Sequence, residues 1–315
     1  MNIFDTHSDT PFDMFRGGFG LDNDISAVSL GKVAGFEKKF FVAAFFSDKD
    51  KSGEECYTEF LKSSFYYDFC IDDENDRALL CTCRNDLQRC FGNGKFGAIK
   101  AVEGAKLLCG DASRLKELYR HGVRLMIPLW GGSDSIGGAW DTDEGLTEFG
   151  KTVVTECNRL GIVVDVSHMS TKSFWDTASI STRPIVASHS NLRSVCSHRR
   201  NLDDEQMKHI ISCNGIIGLN LCNAHVSNKY ATRLATPDDD FIRDALAHTY
   251  YLLENGGKKT ACLGCDWDGT KLPPQIPDVS YMYRLYEAML KDGIPENTVN
   301  DFFFNNAYNF FVNNI

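Results

Sequence analysis

A repeated alternation constrains this chain more than any other feature. Eight short apolar runs, each strand-like and closed by a polar residue, are separated by stretches of helical periodicity. The runs cover residues 2–5, 40–46, 96–102, 123–129, 162–166, 184–187, 215–219 and 261–263. Strands that alternate with helices pair in parallel, because each helical crossover returns the chain to the same end of the sheet. Eight such repeats favour closure over an open sheet. The expected fold is therefore α/β, a TIM-like (β/α)8 barrel whose functional groups gather where the βα loops meet.

The helical stretches have recognisable ends. One is expected over 113–121, with Asp111 as N-cap and Gly122 as stop. Another spans 147–160, with Val153, Val154, Cys157 and Leu160 on one face and Gly161 closing it. A third covers 204–213. A fourth starts at Pro237, a favoured first-turn residue, and runs through Leu253 to Gly256-Gly257. Residues 54–90 read as one helix or two, broken near 72–75, and 296–312 as a last, Phe-rich helix. No linker or low-complexity segment interrupts the pattern, so residues 1–315 are expected to form a single domain.

Composition narrows the function class. A formal net charge of -10 argues against a broad surface for nucleic acid or anionic lipid, which needs clustered Lys and Arg. No apolar run approaches the ~20 residues needed to span a bilayer, so no membrane span is expected. No basic and apolar leader precedes Asn2-Ile3-Phe4, and 310–315 is too short for a lipid-anchor signal. The twelve cysteines are therefore expected as reduced thiols in a cytoplasm. Cys262 and Cys265 form a C-x-x-C, but both lie in the last strand region, where alternation separates side chains.

Six residues at or just past the strand ends carry the chemistry. Asp5-Thr6-His7-Ser8-Asp9 places an H-x-D pair after the first strand, where side chains two apart share a face and can take one cation. Glu103 ends the third strand and, as a carboxylate, can bridge two cations. His168 and His189 end the fifth and sixth strands and would serve the second cation. Asp266, in Asp266-Trp267-Asp268-Gly269, ends the eighth strand and is placed to take a proton from an activated water. Asp268 competes for that role, its alternative being a turn residue before Gly269. Imidazoles and carboxylates together suit zinc, and the set points to metal-dependent hydrolysis.

Further residues belong to this reading. Asp165, Ser167 and Ser188 are candidates for holding the imidazole tautomers. His198 and His225 sit in loops that could line the mouth, whereas His121, His209 and His248 are expected at the surface. Arg200, in His198-Arg199-Arg200-Asn201, can grip a carboxylate bidentately.

Taken together, several strings resemble the membrane (renal) dipeptidase family of the metal-dependent amidohydrolase superfamily. They are DTHSDTP (5–11), VEGA (102–105), GLTEFG (145–150), NRLGIVVDVSHMS (158–170), SHS (188–190), RRN (199–201) and DWDG (266–269). The resemblance implies a barrel with a two-zinc centre that hydrolyses short peptides, some relatives accepting a D-residue second. By position, His7 and Asp9 would bind one zinc, Glu103 would bridge both, and His168 and His189 would bind the other. A metal-bridging hydroxide would attack the peptide carbonyl, Asp266 would transfer the proton, and Arg200 would hold the substrate carboxylate. One position departs from the family. Trp130 stands where several relatives carry a His, and an indole N–H donates a hydrogen bond but cannot become cationic. Trp130 is thus a substrate-binding candidate. A homodimer is implied by the resemblance alone. Hydrolysis of another small amide or ester, or a silent ligand-binding barrel, are the competing readings.

Overall fold

The computed structural model describes residues 1–230 and 236–315. Its sheet contains β1 (Ile3–Ser8), β2 (Lys39–Phe46), β3 (Ala78–Leu80), β4 (Phe96–Glu103), β5 (Val123–Ile127), β6 (Val163–Val164), β7 (Ile217–Leu219) and β8 (Ala261–Leu263). Every pairing is parallel, in the order β6-β5-β4-β2-β1-β8-β7, and β3 pairs with β4 outside this path. Two isolated parallel bridges, Asp165↔Val186 and Ala187↔Ile217, link the β6 end of the path to β7 through the segment around 184–187. The result is an α/β fold built on a strongly curled parallel sheet, with helices outside it.

Period-two alternation sorts the strand side chains into two cores. Phe4, Phe40, Val42, Ile99, Ala101, Leu125, Ile127, Val163, Val186, Ile216 and Cys262 face one another inside the curl. Their neighbours Ile3, Phe41, Ala43, Ala98, Val102, Met126, Val164, Ile217 and Leu263 pack outward against the helices. Because both faces are covered, the strands read as apolar runs rather than as alternating ones. Glu103 continues the inward phase of Ile99 and Ala101, which carries its carboxylate to the top of the interior.

The other end of the interior is filled by the C-terminal segment. Helices Glu296–Asn300 and Asn306–Asn314 flank a π-helical turn, Asp301–Asn305. Phe304, Phe310 and Phe311 belong to the inner core, and Phe4 stacks on both Phe40 (5.4 Å) and Phe311 (5.2 Å). Further up, the Thr6 hydroxyl donates to the Ser188 (2.5 Å) and Leu263 (2.8 Å) carbonyls across the curl. A Cβ at Gly218 or Gly264 would collide with the Ser188 carbonyl and crowd Thr6, so these two positions keep the walls close.

The expected helices appear, with differences at their ends. Thr147 caps Glu148–Leu160, its hydroxyl accepting the Gly150 N–H, and Gly161 ends the helix in the left-handed region. Ser113 rather than Asp111 precedes Arg114–Arg120. The helix expected from Pro237 starts at Phe241, because 238–240 form a turn that Asp238 closes by accepting the Asp240 N–H. The 54–90 stretch is two helices, Gly53–Asp73 and Arg84–Asn93, with β3 between them. That strand is short and only one of its residues is buried, so it lacks an apolar signature. The 184–187 run pairs only through isolated bridges. His248 is buried rather than exposed: it accepts the Leu192 N–H (3.1 Å) and bonds the Val226 carbonyl (2.8 Å). His121 and His209 are half-buried. No helix among the described residues is long and apolar enough to cross a membrane.

Phe4→Ala removes the ring that joins the sheet to the C-terminal helix. It is expected to lower unfolding free energy by roughly 3–5 kcal/mol, read by denaturant titration, since a buried Phe leaves a cavity the surroundings cannot refill. A loss under about 1 kcal/mol would mean that the C-terminal helix does not support this core.

Candidate metal centre and active site

The strand ends bring the sequence-identified groups to one mouth. Glu103 is fixed by main-chain bonds on both sides, from Ser47 N–H to its carbonyl (2.7 Å) and from Gly104 N–H to the Ile127 carbonyl (2.8 Å). Its Oε1 lies 3.2 Å from His168 Nε2, 3.4 Å from His189 Nε2 and 3.7 Å from His7 Nε2. His7 Nε2 is also 3.5 Å from Asp9 Oδ2 and 4.0 Å from Asp266 Oδ1. All six residues are buried.

These separations suit ligands arranged around cations. Neither ring nitrogen of His7, nor Asp9 Oδ1, makes a hydrogen bond among the described residues. Buried polar atoms left this way are costly unless something else satisfies them. Zinc bonds of 2.0–2.1 Å in tetrahedral geometry hold ligand atoms ~3.4 Å apart, close to the observed spacings. Two overlapping donor groups, His7-Glu103-His189 and His7-Asp9-Asp266, each bring their ligand atoms within 4.8 Å. The residues present therefore fit divalent cations.

The electrostatics agree. Burial alone would lower the His7 pKa, but the Glu103, Asp9 and Asp266 carboxylates raise it to about 10. Burial, with Glu103 and Asp266 alongside, raises Asp9, against the opposing pull of His7. A proton on His7 thus supplies the positive charge that this carboxylate cluster demands. Burial, reinforced by Arg200, drives His168 well below its usual value, and burial with His7 and Arg200 does the same for His189. Their Nε2 atoms approach each other to 2.9 Å beside the Glu103 carboxylate.

The ring orientations have identifiable supports. His168 Nδ1 bonds the Trp130 carbonyl at 2.7 Å, which assigns the proton to Nδ1 and leaves Nε2 a lone pair. Ser188 Oγ bonds His189 Nδ1 at 2.8 Å. Ser188 thus orients the ring, and its hydroxyl can serve either tautomer. Asp165 instead accepts main-chain N–H groups from Ser167 and Ser188. His168 (φ 69°) and Asp266 (φ 64°) sit in the left-handed region, a sparsely populated conformation for such residues that recurs at functional sites.

Asp266 and Asp268 are separated by their partners. Asp266 Oδ2 accepts the Asn220 side-chain N–H at 3.1 Å, and its Oδ1 faces His7. Asp268 is occupied on both oxygens: Oδ2 accepts the Thr10 hydroxyl (2.5 Å) and Oδ1 the Ala27 N–H (2.8 Å). Its position ties the mouth to the loop before β2. Gly269 follows because a Cβ there would strike the Asp9 and Asp266 carboxylates.

Two cavities open on the mouth, sharing Trp130 and His168 as a wall. One, of about 220 Å³, is lined by Asp9, Asp13, Glu103, Asp266 and Asp268 with Phe12 and Phe46. The other, of about 410 Å³, is lined by Lys49, His198, Arg200 and His225, with Trp140 and Asp141. Arg200 is buried and anchored, donating to Ser190 Oγ (2.7 Å) and the His189 carbonyl (3.1 Å). Asp5, Trp267, Asn220 and Trp140 also shape the mouth, and local sequence patterns give none of them away. Only Asp5 and Trp267 carry a signal, through their places in the DTHSDTP and DWDG strings.

Comparisons with known proteins fit this geometry. A family model described as membrane dipeptidase, peptidase family M19, matches residues 1–312. An uncharacterised protein of the pqqA 5′ region of Klebsiella pneumoniae is 34% identical over 225 residues, covering 69% of this chain and 82% of the relative. A crystal structure of a metallopeptidase of family M19, dipeptidase AC, superposes with a TM-score of 0.92 at 26% identity, covering 100% of this chain and 98% of that one. A metallopeptidase from Rhodobacter sphaeroides, liganded with a phosphinate mimic of the dipeptide L-Ala-D-Ala, gives 0.92 at 25% identity, covering 100% and 99%.

A cation held by His7 would have to displace the proton on its ring. With that pKa at about 10, affinity is expected to fall roughly tenfold per pH unit as pH drops from 9 to 7, more steeply where Asp9 also takes a proton. Zinc titrated calorimetrically into metal-stripped protein, in buffers of differing ionisation enthalpy, should release about one proton near pH 8. Uptake without proton release would remove His7 from the ligand set.

Proposed function

This chain belongs to the membrane dipeptidase family and is a dipeptidase of that family; we propose that it works with two zinc ions, held by His7, Asp9, Glu103, His168 and His189. Glu103 is the shared ligand in this reading, because one of its oxygens approaches all three imidazoles. When bound, the ions supply Lewis acidity that polarises a peptide carbonyl and lowers the pKa of a water.

The observation that carries the substrate assignment is the polarity of the cleft. A free dipeptide is positive at one end and negative at the other. Asp13, a carboxylate of the smaller cavity outside both the ligand set and the proton carrier, suits the ammonium group, and the cavity holding Arg200 suits the carboxylate. Their common wall at His168 and Trp130 then lies beneath the scissile bond. Arg200 is pre-oriented by Ser190 and the His189 carbonyl, so a carboxylate meets a guanidinium whose conformational freedom is already lost.

Asp266 is the proton carrier. Asn220 holds one of its oxygens and leaves the other toward the mouth. As water adds to the carbonyl carbon, Asp266 takes the departing proton and returns it to the nitrogen as the C–N bond breaks, giving an acid and an amine. The relative liganded with an L-Ala-D-Ala mimic supports including L,D-dipeptides among the substrates.

The proposal extends to the architecture and setting. Residues 1–315 are read as one hydrolase domain in which the sheet closes through 184–187 as a (β/α)8 barrel, a reading supported by the two bridges at Val186 and Ala187. The twelve free cysteines support a reducing compartment, the cytoplasm.

The test is hydrolysis of a panel of L,L- and L,D-dipeptides by zinc-loaded protein, with chelated protein and Asp266→Asn beside it. Metal-dependent cleavage is expected, with Asp266→Asn retaining zinc while kcat falls roughly 10²–10⁴-fold. Cleavage only of N-acyl amino acids or lactones would move the assignment to another amide or ester. For Arg200→Ala, KM for free dipeptides is expected to rise at least tenfold, with little change for substrates whose carboxylate is amidated. An equal effect on both substrate types would remove Arg200 from that role.

A further inference from the structure

We infer that Asp5 and Asp165 are a matched pair of positioning residues, each clamping the main chain of two neighbouring strand ends and so setting one half of the metal centre. Both are fully buried; Asp5 lies on β1 two residues before His7, and Asp165 lies just past β6, three residues before His168. Asp5 Oδ1 accepts the His7 N–H (3.0 Å) and the Cys265 N–H (3.1 Å). Its Oδ2 accepts the Cys265 N–H (3.2 Å) and the Trp267 indole N–H (2.9 Å). One carboxylate thereby fixes the backbone at His7 and at Cys265, just before Asp266, and the side chain of Trp267 just after it, across 260 residues of chain. Asp165 Oδ1 does the equivalent for the other half, accepting the Ser167 N–H (2.8 Å) and the Ser188 N–H (3.1 Å). These are the residues immediately before His168 and His189.

The two clamps differ in a way that makes them separable. Both oxygens of Asp5 receive N–H donors. An Asn at this position must turn its NH₂ toward one of them, setting donor against donor in a buried site. Asp165 works through one oxygen only, and its Oδ2 makes no hydrogen bond among the described residues. An Asn at 165 can keep its carbonyl on both N–H groups and place its NH₂ where Oδ2 stands. Amide replacement is therefore disruptive at 5 and tolerated at 165, whereas Ala removes either clamp.

This inference rests on the metal assignment above, and its test reads the ions directly. Wild type, Asp5→Asn, Asp165→Asn, Asp165→Ala and Trp267→Phe are stripped and titrated with zinc against a chromophoric chelator, with Tm followed in parallel. Loss of an outer support around a metal ligand weakens binding by about 10–100-fold. Asp5→Asn is expected to lose that much at one site only. Asp165→Ala should lose it at the other site, while Asp165→Asn binds both ions within about threefold of wild type. Trp267→Phe removes a single donor to Asp5 and should show a smaller loss at the same site as Asp5→Asn; it carries the test of that clamp if Asp5→Asn does not fold.

Site-selective losses in this pattern establish the clamps. Equal loss at both sites in step with Tm would reduce the two aspartates to structural residues and overturn the inference. So would Asp165→Asn behaving as Asp165→Ala, or unchanged affinities in Trp267→Phe and Asp165→Ala. Wild-type protein that takes up no zinc would instead overturn the metal assignment itself.

Discussion

A buried carboxylate stays charged only if a cation or a set of donors compensates it, and the mouth of this sheet is organised around that requirement. Asp9, Glu103 and Asp266 converge on His7, whose pKa rises to about 10 in response. A single imidazolium satisfies this cluster only in part, because Asp9 Oδ1 and both His7 nitrogens remain without hydrogen bonds among the described residues. Metal ions meet the same demand with more charge and with the coordination number that the donors supply. Fold and chemistry are coupled here: the inner face of the curled sheet must be apolar to hold together, and its strand ends must be polar to hold cations. The change occurs within two residues on β4, from Ala101 to Glu103.

That inner alternation explains why so much of the centre could be read from the chain. A ligand at the end of a strand keeps the strand's phase, so Glu103 is located once Ile99 and Ala101 are recognised as inward residues. His168 and His189 follow short apolar runs and needed only their position to stand out. Trp130 and Arg200 also line the mouth where the sequence placed them. Asp268 competed with Asp266 as the acid/base candidate, with a turn before Gly269 as its alternative; in the structure both Asp268 oxygens accept hydrogen bonds, whereas Asn220 holds one oxygen of Asp266. The supports were not legible for a physical reason. Asp5 reaches Cys265, and Thr6 reaches Ser188, through contacts spanning 260 and 182 residues, which no local periodicity encodes. β3 was missed for the opposite reason, since its pairing is too short to leave a pattern, and 184–187, expected as a strand, pairs only through isolated bridges. His248 shows the same limit: a helical position gives no sign that both ring nitrogens are used by loops far away in the chain.

Trp130 illustrates how one residue can keep a support while altering recognition. Its carbonyl holds the His168 tautomer, and any residue in that backbone conformation could do this. Its indole instead packs edge-on against Phe46 (4.9 Å) and lies beside His168, forming the wall between the acidic and basic cavities. A large neutral ring here divides the cleft sterically and offers one N–H, where an imidazole would add a titratable charge. The contact to His168 thus depends on the main chain at 130, whereas the indole faces the two cavities.

The same division extends to the segments that bear each role. The residues proposed to hold cations sit at or just past strand ends whose main-chain groups are paired to neighbouring strands or held by Asp5 and Asp165. The cavity walls come from longer connections such as 130–146, which lie outside the main sheet and are held by isolated antiparallel bridges (Ser133↔Gly138, Gly137↔Leu146, Ala139↔Met169) and by side chains: Asp141 accepts the Gly132 N–H, Ser170 and Ser173 donate to the Glu144 and Gly138 carbonyls, and Arg199 pairs with Asp143. A ladder bond cannot be removed by replacing a side chain, whereas each of these side-chain pins can. Substitution of these side-chain pins should therefore act first on the cleft walls, whereas the main chain of 130–146 also supports His168 through the Trp130 carbonyl and the Trp140 N–H. For a dipeptidase, whose substrates share one scissile bond and differ in their side chains, that separation lets specificity change while the hydrolytic centre stays in place.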